Sequence, residues 1–257
     1  MERIKRLAYK ILDILMRGRG MKIRVNDFSL RFPTRYDRRF PATYEKENYA
    51  FLRKHVKPGD VVLDIGAHMG LFSVCALQCA GPGGKVYAFE PTPSTVALLK
   101  KTIEINDAGN HIIPVMAAVA DKKGKAVFYS AKETGTPSNS LVSFDDRDRE
   151  GYEVELVTVD DFVRENGLQA GFIKIDAEGA ELNVLKGART TLVDQRPECI
   201  LAMHPRSILK FGGSNKEIWD LLQDTGYDVF YEGEKISENV FCEKNRLFDV
   251  HLLPKLS

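Results

Sequence analysis

The sequence predicts an α/β fold: a mostly parallel central sheet with helices on both faces, an antiparallel C-terminal edge strand and an inserted hairpin. Three observations predict it. From Val61 onward, short apolar runs alternate with stretches of helical period, the rhythm of parallel strands joined by crossover helices. The first run, Val61–Ile65, passes into the turn Gly66-Ala67-His68-Met69-Gly70 and then into a helix. The second run, Val86–Phe89, ends on an acid, Glu90.

Residues 1–57 read as a basic, helical extension packing on the core. Eight lysines and arginines lie between Arg3 and Arg24, and Ile4, Leu7, Ile11, Ile14 and Leu15 recur at helical spacing. The competing reading is a basic amphipathic helix in peripheral contact with an anionic membrane surface. Asp13 and scattered charges interrupt the apolar segment, which excludes a secretory signal. Lys22–Leu30 alternates weakly, as one strand. Arg31–Thr43 is rich in charge and aromatics without period, as a loop lying over the domain. Tyr44–His55 is helical and stops before the Pro58-Gly59-Asp60 turn.

Residues 58–257 read as one domain with an insertion at about 124–158. Leu71–Ala80 is apolar almost all round, as a helix buried on a sheet, and Gly81-Pro82-Gly83-Gly84 stops it. After the second strand, Thr92 is the N-cap and Pro93 the first residue of a helix whose inner face carries Val96, Leu99 and Ile103. His111–Ala118 is the third strand. Ala126–Tyr129 and Tyr152–Val159 then form the inserted antiparallel hairpin, with a polar loop between them. A helix starts near Asp160, followed by the strand Phe172–Asp176 and a helix Glu178–Lys186 that Gly187 terminates. Cys199–Met203, Tyr227–Tyr231 and Leu247–Leu252 are strands, and Lys216–Thr225 is a helix.

Composition excludes several classes. With 37 basic and 36 acidic residues among 257, the chain has no cationic surplus for nucleic acid, and none is expected as a partner. No apolar run approaches the length of a membrane span. Cys75, Cys79, Cys199 and Cys242 show no C-x-x-C spacing, so reduced thiols in packing roles and a cytoplasmic location are expected.

The strand–turn–helix at Gly66 and the acid at Glu90 are equipment for holding a nucleoside: the turn wraps the ligand and the carboxylate accepts the ribose hydroxyls. A dinucleotide site wants G-x-G-x-x-G, whose second glycine lets the backbone touch pyrophosphate. Here that position is His68, and the pattern is G-x-x-x-G. Asp64, beside the turn, would repel phosphate and attract an ammonium. Both features favour S-adenosylmethionine, which carries an ammonium and no phosphate; a nicotinamide or flavin cofactor is the alternative. The cofactor set is then Asp64, Gly66, Ala67, His68, Gly70, Glu90, Pro91, Ala118 and Asp121. Ala118 serves as an apolar wall for adenine. Asp121 bonds its amino group or, equally, only opens the Asp121-Lys122-Lys123-Gly124 turn.

Ligands of open α/β sheets bind outside the carboxyl ends of the strands. Asp176 and Glu178 follow one strand and His204 follows the next. Asp176 is the candidate general base, Glu178 either a site acid or a helix-terminal acid, and His204 a proton relay or a structural hydrogen-bonder. Asp176, Glu178 and His204 together are also a candidate divalent-metal set. Asn139 and Ser140, in the Gly135–Leu141 loop, are candidate substrate contacts if that loop closes over the strand ends; a mobile surface insertion is the alternative.

Taken in order, VLDIGAHMGLFS, YAFEP, AAVAD, SNSL, TVDDF and IKIDAEGAELNVLKGA resemble the FkbM family of S-adenosylmethionine-dependent methyltransferases. The resemblance covers about Val61–His204. It implies a Rossmann-like class I methyltransferase domain and O-methylation of a hydroxyl on a small molecule, sugar or glycan, without fixing the acceptor. The family usually carries asparagine where this chain has His68, which leaves that side chain's role open. The residues alone leave two other classes, a nicotinamide-dependent oxidoreductase and a non-catalytic nucleoside binder.

Overall fold

The order of the strands, rather than their number, positions everything that follows. The computed structural model describes residues 16, 18–36, 40–131 and 149–256. The expected N-terminal helix and the Asn139–Ser140 loop lie outside the described residues.

Strands β1 (Met21–Val25) and β2 (Phe28–Phe32) form an antiparallel hairpin, followed by helix α1 (Lys46–His55). The single strand expected over 22–30 is broken at Asn26-Asp27, where Asn26 takes φ 51. Asparagine is among the few non-glycine residues that tolerate this left-handed region. Next come β3 (Val61–Ile65), α2 (Leu71–Ala80), β4 (Lys85–Phe89), α3 (Pro93–Ile105) and β5 (Ile112–Val115). The single strand expected over 111–118 is two: Ala118–Val119, β6, leaves the main sheet and pairs with the insertion. That insertion is the expected hairpin, β7 (Gly124–Ala131) antiparallel to β8 (Arg149–Val157).

Helix α4 (Val159–Glu165) is capped by Thr158, whose hydroxyl accepts the Asp161 N–H. It leads to β9 (Ala170–Ile175), two short helices α5 (Glu181–Lys186) and α6 (Arg189–Asp194), and β10 (Glu198–Met203). Then follow α7 (Pro205–Lys210), α8 (Asn215–Asp224) with Ser214 as its cap, β11 (Tyr227–Tyr231), β12 (Glu234–Lys235), α9 (Glu238–Glu243) and β13 (Phe248–Pro254).

The main sheet has the order β12-β11-β13-β10-β9-β3-β4-β5. Strands β10, β9, β3, β4 and β5 are mutually parallel. The antiparallel part at the C-terminal end is present, but β13 is inserted between β10 and β11 rather than lying outermost. Helix α9, which the sequence reading did not separate from its surroundings, carries the chain back for that insertion. The chain steps outward from β3 in both directions, so β3 and β9 flank the point where strand order reverses, the place where such sheets bind ligands.

Alternation along each strand sorts side chains between two cores. Leu63, Ile65, Ile173, Ile175, Leu201 and Met203 face one core with Val163, Leu185, Ile218 and Phe241. Val62, Val86, Phe172 and Ile200 face the other, with α1, α2, α3 and the N-terminal hairpin. On that second face Phe51 of α1 is stacked between His55 and His251, at centroid distances of 4.0 and 4.1 Å. Burial holds His251 neutral, its pKa pulled down to about 4. Its Nε2 lies 3.0 Å from Asn48 Oδ1, and Asn48 Nδ2 donates to Asp249 Oδ2 at 2.8 Å, so α1 is tied to β13. The four cysteines are free thiols, with Cys75 and Cys199 in the cores. Among the described residues no helix is long and apolar enough to cross a membrane.

Phe51→Ala is expected to cost about 3–5 kcal/mol, because the gap between two imidazoles held by their own hydrogen bonds cannot collapse. Urea unfolding of the purified variant measures it.

Candidate active site

At the carboxyl ends of β3, β4 and β9 the chain leaves a cavity with Glu90 on one side and Asp176 and Glu178 on the other. Its floor and near wall are Ile65, Gly66, Ala67 and His68, and Ala117, Ala118 and Val119 form an apolar end wall. Gly66 has φ 80, and a Cβ there would sit 2.0 Å from the Asp176 carbonyl oxygen. The Gly66 and Ala67 N–H groups both donate to Phe89 O, and the Asp176 N–H donates to Ile65 O at 3.0 Å. Three strand ends are therefore laced together at one glycine.

Glu90 is 6% exposed, and backbone bonds fix it: Oε2 accepts the His68 N–H at 3.1 Å and Oε1 accepts the Thr92 N–H at 3.0 Å. Burial raises its pKa to about 6, against the pull of those donors. The Thr92 side chain also bonds to this carboxylate, and three donors leave part of its acceptor capacity for a ligand hydroxyl.

The opposite side is organised by Lys174, which is 6% exposed inside the apolar run of β9. Asp64 and Lys174 are register partners on adjacent parallel strands, both on the second-core face. The Lys174 ammonium lies 4.0 Å from Asp64 and 3.1 Å from Asp176, two residues along the same face. Burial opposes its charge, but the two carboxylates hold it protonated, above the usual lysine value. Burial likewise opposes the Asp176 charge, yet Lys174 and His204 keep its carboxyl below the usual value.

His204, at the end of β10, sits behind Asp176 with Nε2 3.8 Å from Oδ1. Its Nδ1 lies 2.8 Å from Glu181 Oε1, a fully buried carboxylate that also accepts the Gly179 N–H. Burial pulls the imidazole down, but Glu181, Asp176 and Glu178 outweigh it and raise the pKa to about 9. Glu178 projects from a left-handed backbone position, φ 49. Burial, then the Asp176 charge, pushes its carboxyl up to about 8.

Of the expected cofactor residues, Gly66, Ala67, His68, Glu90, Pro91 and Ala118 line this one cavity. Three others do not, and the reasons are geometric. Asp64 is fully buried: strand alternation turns it beneath α2, where Ser73 donates to Oδ2 at 2.5 Å and Lys174 covers it. It is not positioned to meet a ligand ammonium. Gly70 packs against α3, where a Cβ would approach Leu99 Cδ1 to 2.6 Å. Asp121 is exposed in the turn that opens β7.

Asp176 and Glu178 line the cavity, while His204 lines the neighbouring cleft. The metal set is corrected: among the described residues no group of three donors is arranged to hold an ion. His204 turns Nδ1 to Glu181, and Asp176 is taken by Lys174. Glu178 lies outside the helix expected from that residue onward, which starts at Glu181.

The sequence reading missed Lys174, Tyr44 and Glu45. A lysine at an alternate position of a buried strand was the available signal for the first, since buried lysines require paired acids. The N-terminal segment reaches the cavity because the Asn26 side chain donates to Tyr44 O and Phe40 bridges Phe32 to Tyr44. Glu45, like His68 and Glu178, lines the cavity from a left-handed backbone, φ 43.

The pH dependence of stability follows from signs. A histidine raised from its ordinary value to about 9 stabilises fully below about pH 6.5. That contribution is lost as pH rises through 9. Glu178, raised to about 8, loses stability in the same direction from about pH 4.5 upward. Urea unfolding is expected to give lower stability at pH 9 than at pH 6.5, with His204 supplying at most about 3 kcal/mol of the fall. His204→Gln flattens the curve above pH 6.5; an unchanged slope counts against the Glu181–His204–Asp176 arrangement.

The profile of the Methyltransferase FkbM domain matches residues 64–229. The 31-O-demethyl-FK506 methyltransferase FkbM of Streptomyces tacrolimicus is 26% identical over 209 residues, covering 70% of this chain and 77% of that protein. The hexuronic acid methyltransferase AglP of Haloferax volcanii is 24% identical over 151 residues, covering 58% of each. An rRNA-methylase-type structure from Clostridium thermocellum superposes with a TM-score of 0.51 at 9% identity, covering 83% of this chain and 96% of that one, a likeness of fold alone. The nicotinamide and non-catalytic alternatives are thereby set aside. The domain match extends from Asp64 on β3 through Glu90, Asp176 and His204 into β11, and the chain belongs to the FkbM family of S-adenosylmethionine-dependent methyltransferases.

Proposed function

We propose that this methyltransferase transfers its methyl group to a hydroxyl of a small molecule or carbohydrate. The observation that supports this most is the opposition of two differently treated carboxylates across one cavity, a backbone-fixed Glu90 and a cation-flanked Asp176. The names of two relatives point the same way, one to an oxygen-bound methyl and one to a sugar acid.

The cavity's donor set fits S-adenosylmethionine. The lysine that lines it, Lys174, is already shared by two acids, which suits a ligand without phosphate. Glu90 would hold the ribose hydroxyls, the Gly66–Ala67 turn the nucleoside, and Ala117–Val119 the adenine face. Glu45 takes the role first expected of Asp64, the contact with the methionine ammonium. Bound there, S-adenosylmethionine supplies an electrophilic methyl on a sulfonium.

The chain's own contribution is mainly alignment, which is worth effective molarities of about 10⁵–10⁸ M in well-oriented systems. Asp176 accepts a hydrogen bond from the acceptor hydroxyl and aims its oxygen at the methyl. Lys174 and His204 keep that carboxylate ionised, and Glu181 holds His204 in place through Nδ1. The proton released from the hydroxyl passes to Asp176 or, at higher pH, to Glu178, whose raised pKa lies closer to the working range.

Two variants separate binding from chemistry. Glu90→Gln is expected to weaken S-adenosylhomocysteine by about 10- to 100-fold, the worth of hydrogen bonds to a charged group. Asp176→Asn is expected to keep that affinity and lose about 10²- to 10⁴-fold in kcat. Calorimetry and single-turnover methyl transfer read the two. Glu45→Gln is expected to weaken S-adenosylhomocysteine by about tenfold while leaving 5′-methylthioadenosine, which lacks the amino acid, unaffected. Equal losses for both ligands would sink the role given to Glu45.

A further inference from the structure

A second cleft adjoins the cavity on the far side of His204. Two segments build it: the turn from β10 into α7, with Arg206 and Ser207, and the residues before β13, with Asn245 and Arg246. Strand β10 pairs antiparallel with β13, Met203 opposite Phe248, so the end of one and the start of the other share the sheet edge that carries the cavity. Strand order divides that edge. The nucleoside features follow β3, β4 and β5, and the second cleft follows β10 and β13.

Charge divides the same way. The first cavity is lined by the acids Glu45, Glu90 and Asp176, by Glu178, which holds its proton up to about 8, and by His68, with Lys174 already paired. The second contains no carboxylate among its described lining residues and two guanidinium groups. Among the described residues neither Arg206 nor Arg246 meets a hydrogen-bond or ion-pair partner, unlike Arg53, Arg164 and Arg189, which all reach acids. A guanidinium offers five N–H donors in a planar fork that matches carboxylate or phosphate oxygens. Ser207 and Asn245 add neutral hydrogen-bonding groups. His204 stands at the boundary, facing Asp176 on one side and this cleft on the other.

We propose that the Arg206–Arg246 cleft binds an oxyanion, phosphate or carboxylate, carried by the methyl acceptor, and so brings the acceptor's hydroxyl to the Asp176–His204 edge. This rests on the methyl-transfer reading above. It makes the acceptor an anionic molecule, and it separates that anion from the acidic cavity.

The test uses the full chain saturated with S-adenosylhomocysteine. Glucose, glucose 6-phosphate, glucuronate and inorganic phosphate are titrated against it, with affinity and the His204 imidazole NMR signal as readouts. A charged sugar is expected to bind at least about tenfold tighter than glucose, as one charge-assisted bidentate contact would give, and to move the His204 signal. Which charged sugar wins identifies the oxyanion. The Arg206→Gln/Arg246→Gln double variant is expected to erase the preference at unchanged S-adenosylhomocysteine affinity and unchanged Tm. Equal or absent binding of all three sugars overturns the proposal, as does a preference that survives in the double variant. Inorganic phosphate binding as tightly as glucose 6-phosphate overturns it too, by making the cleft a site for a free anion. Failure of the wild-type chain to bind S-adenosylhomocysteine would instead count against the methyl-transfer reading itself.

Discussion

One buried ammonium sets the geometry of this site. Lys174 lies inside a strand, where an unpaired charge would cost several kcal/mol. Its pairing with Asp64 across β3 and with Asp176 along β9 is therefore obligatory, and it fixes the register of the two strands at the point where strand order reverses. The consequence reaches the surface. With Asp64 committed to the interior, Asp176 is the end of the network that opens into the cavity. Its backbone then packs so closely on β3 that only glycine fits at position 66. Removing one member of such a set leaves an uncompensated charge, which is why the network is better understood as a positioning device than as a source of stability.

The sheet edge then works as a line of stations. From β5 to β13 it presents an apolar wall, a rigid acid, a tight turn, an ionised acid, a cationic imidazole and a pair of arginines. In the proposed reaction this order runs from adenine through ribose and methyl to the acceptor. Glu181 contributes without touching either ligand: by holding Nδ1 of His204 it decides which nitrogen faces Asp176. Among the described residues, three of the seven non-glycine residues with positive φ, Glu45, His68 and Glu178, line this cavity. Such conformations cost of order 1–3 kcal/mol each and persist where surrounding structure enforces them. Their concentration here argues that the turns are shaped for a ligand rather than for folding.

Much of this was legible from residue order, and the failures have a common physical cause. Val61–Ile65, Val86–Phe89 and Leu71–Ala80 declare themselves through apolar period and glycine punctuation, and Glu90 through its place before Pro91. The short helices α6, α7 and α9 have too few turns to show a period. Asp64 stands next to the turn, and in sequence that place points it at the ligand. Proximity along a strand says nothing about which face a side chain takes, and alternation sent it inward. Lys174 and Glu45 depend on partners far away in sequence, a register match with β3 for one and the path of the N-terminal segment for the other. No local pattern contains either fact.

The environments of the acids argue for a division of labour that spacing alone could not give. Asp176, flanked by Lys174 and His204, is ionised across the neutral range. Glu178, two residues on, is buried against that charge and holds its proton up to about 8, and His204 holds its own up to about 9. Titratable groups whose environments push them apart in this way mark acid and base roles. Near neutrality the proposed site thus presents one anion and two proton-holding neighbours around the acceptor oxygen. An oxygen that loses its proton as the new bond forms needs a ready acceptor and a field that does not trap the proton there. Asp176 supplies the first. The second follows from the same Lys174 contact that keeps Asp176 a weak base, so the burial that organises the fold also limits how far the proton can stay.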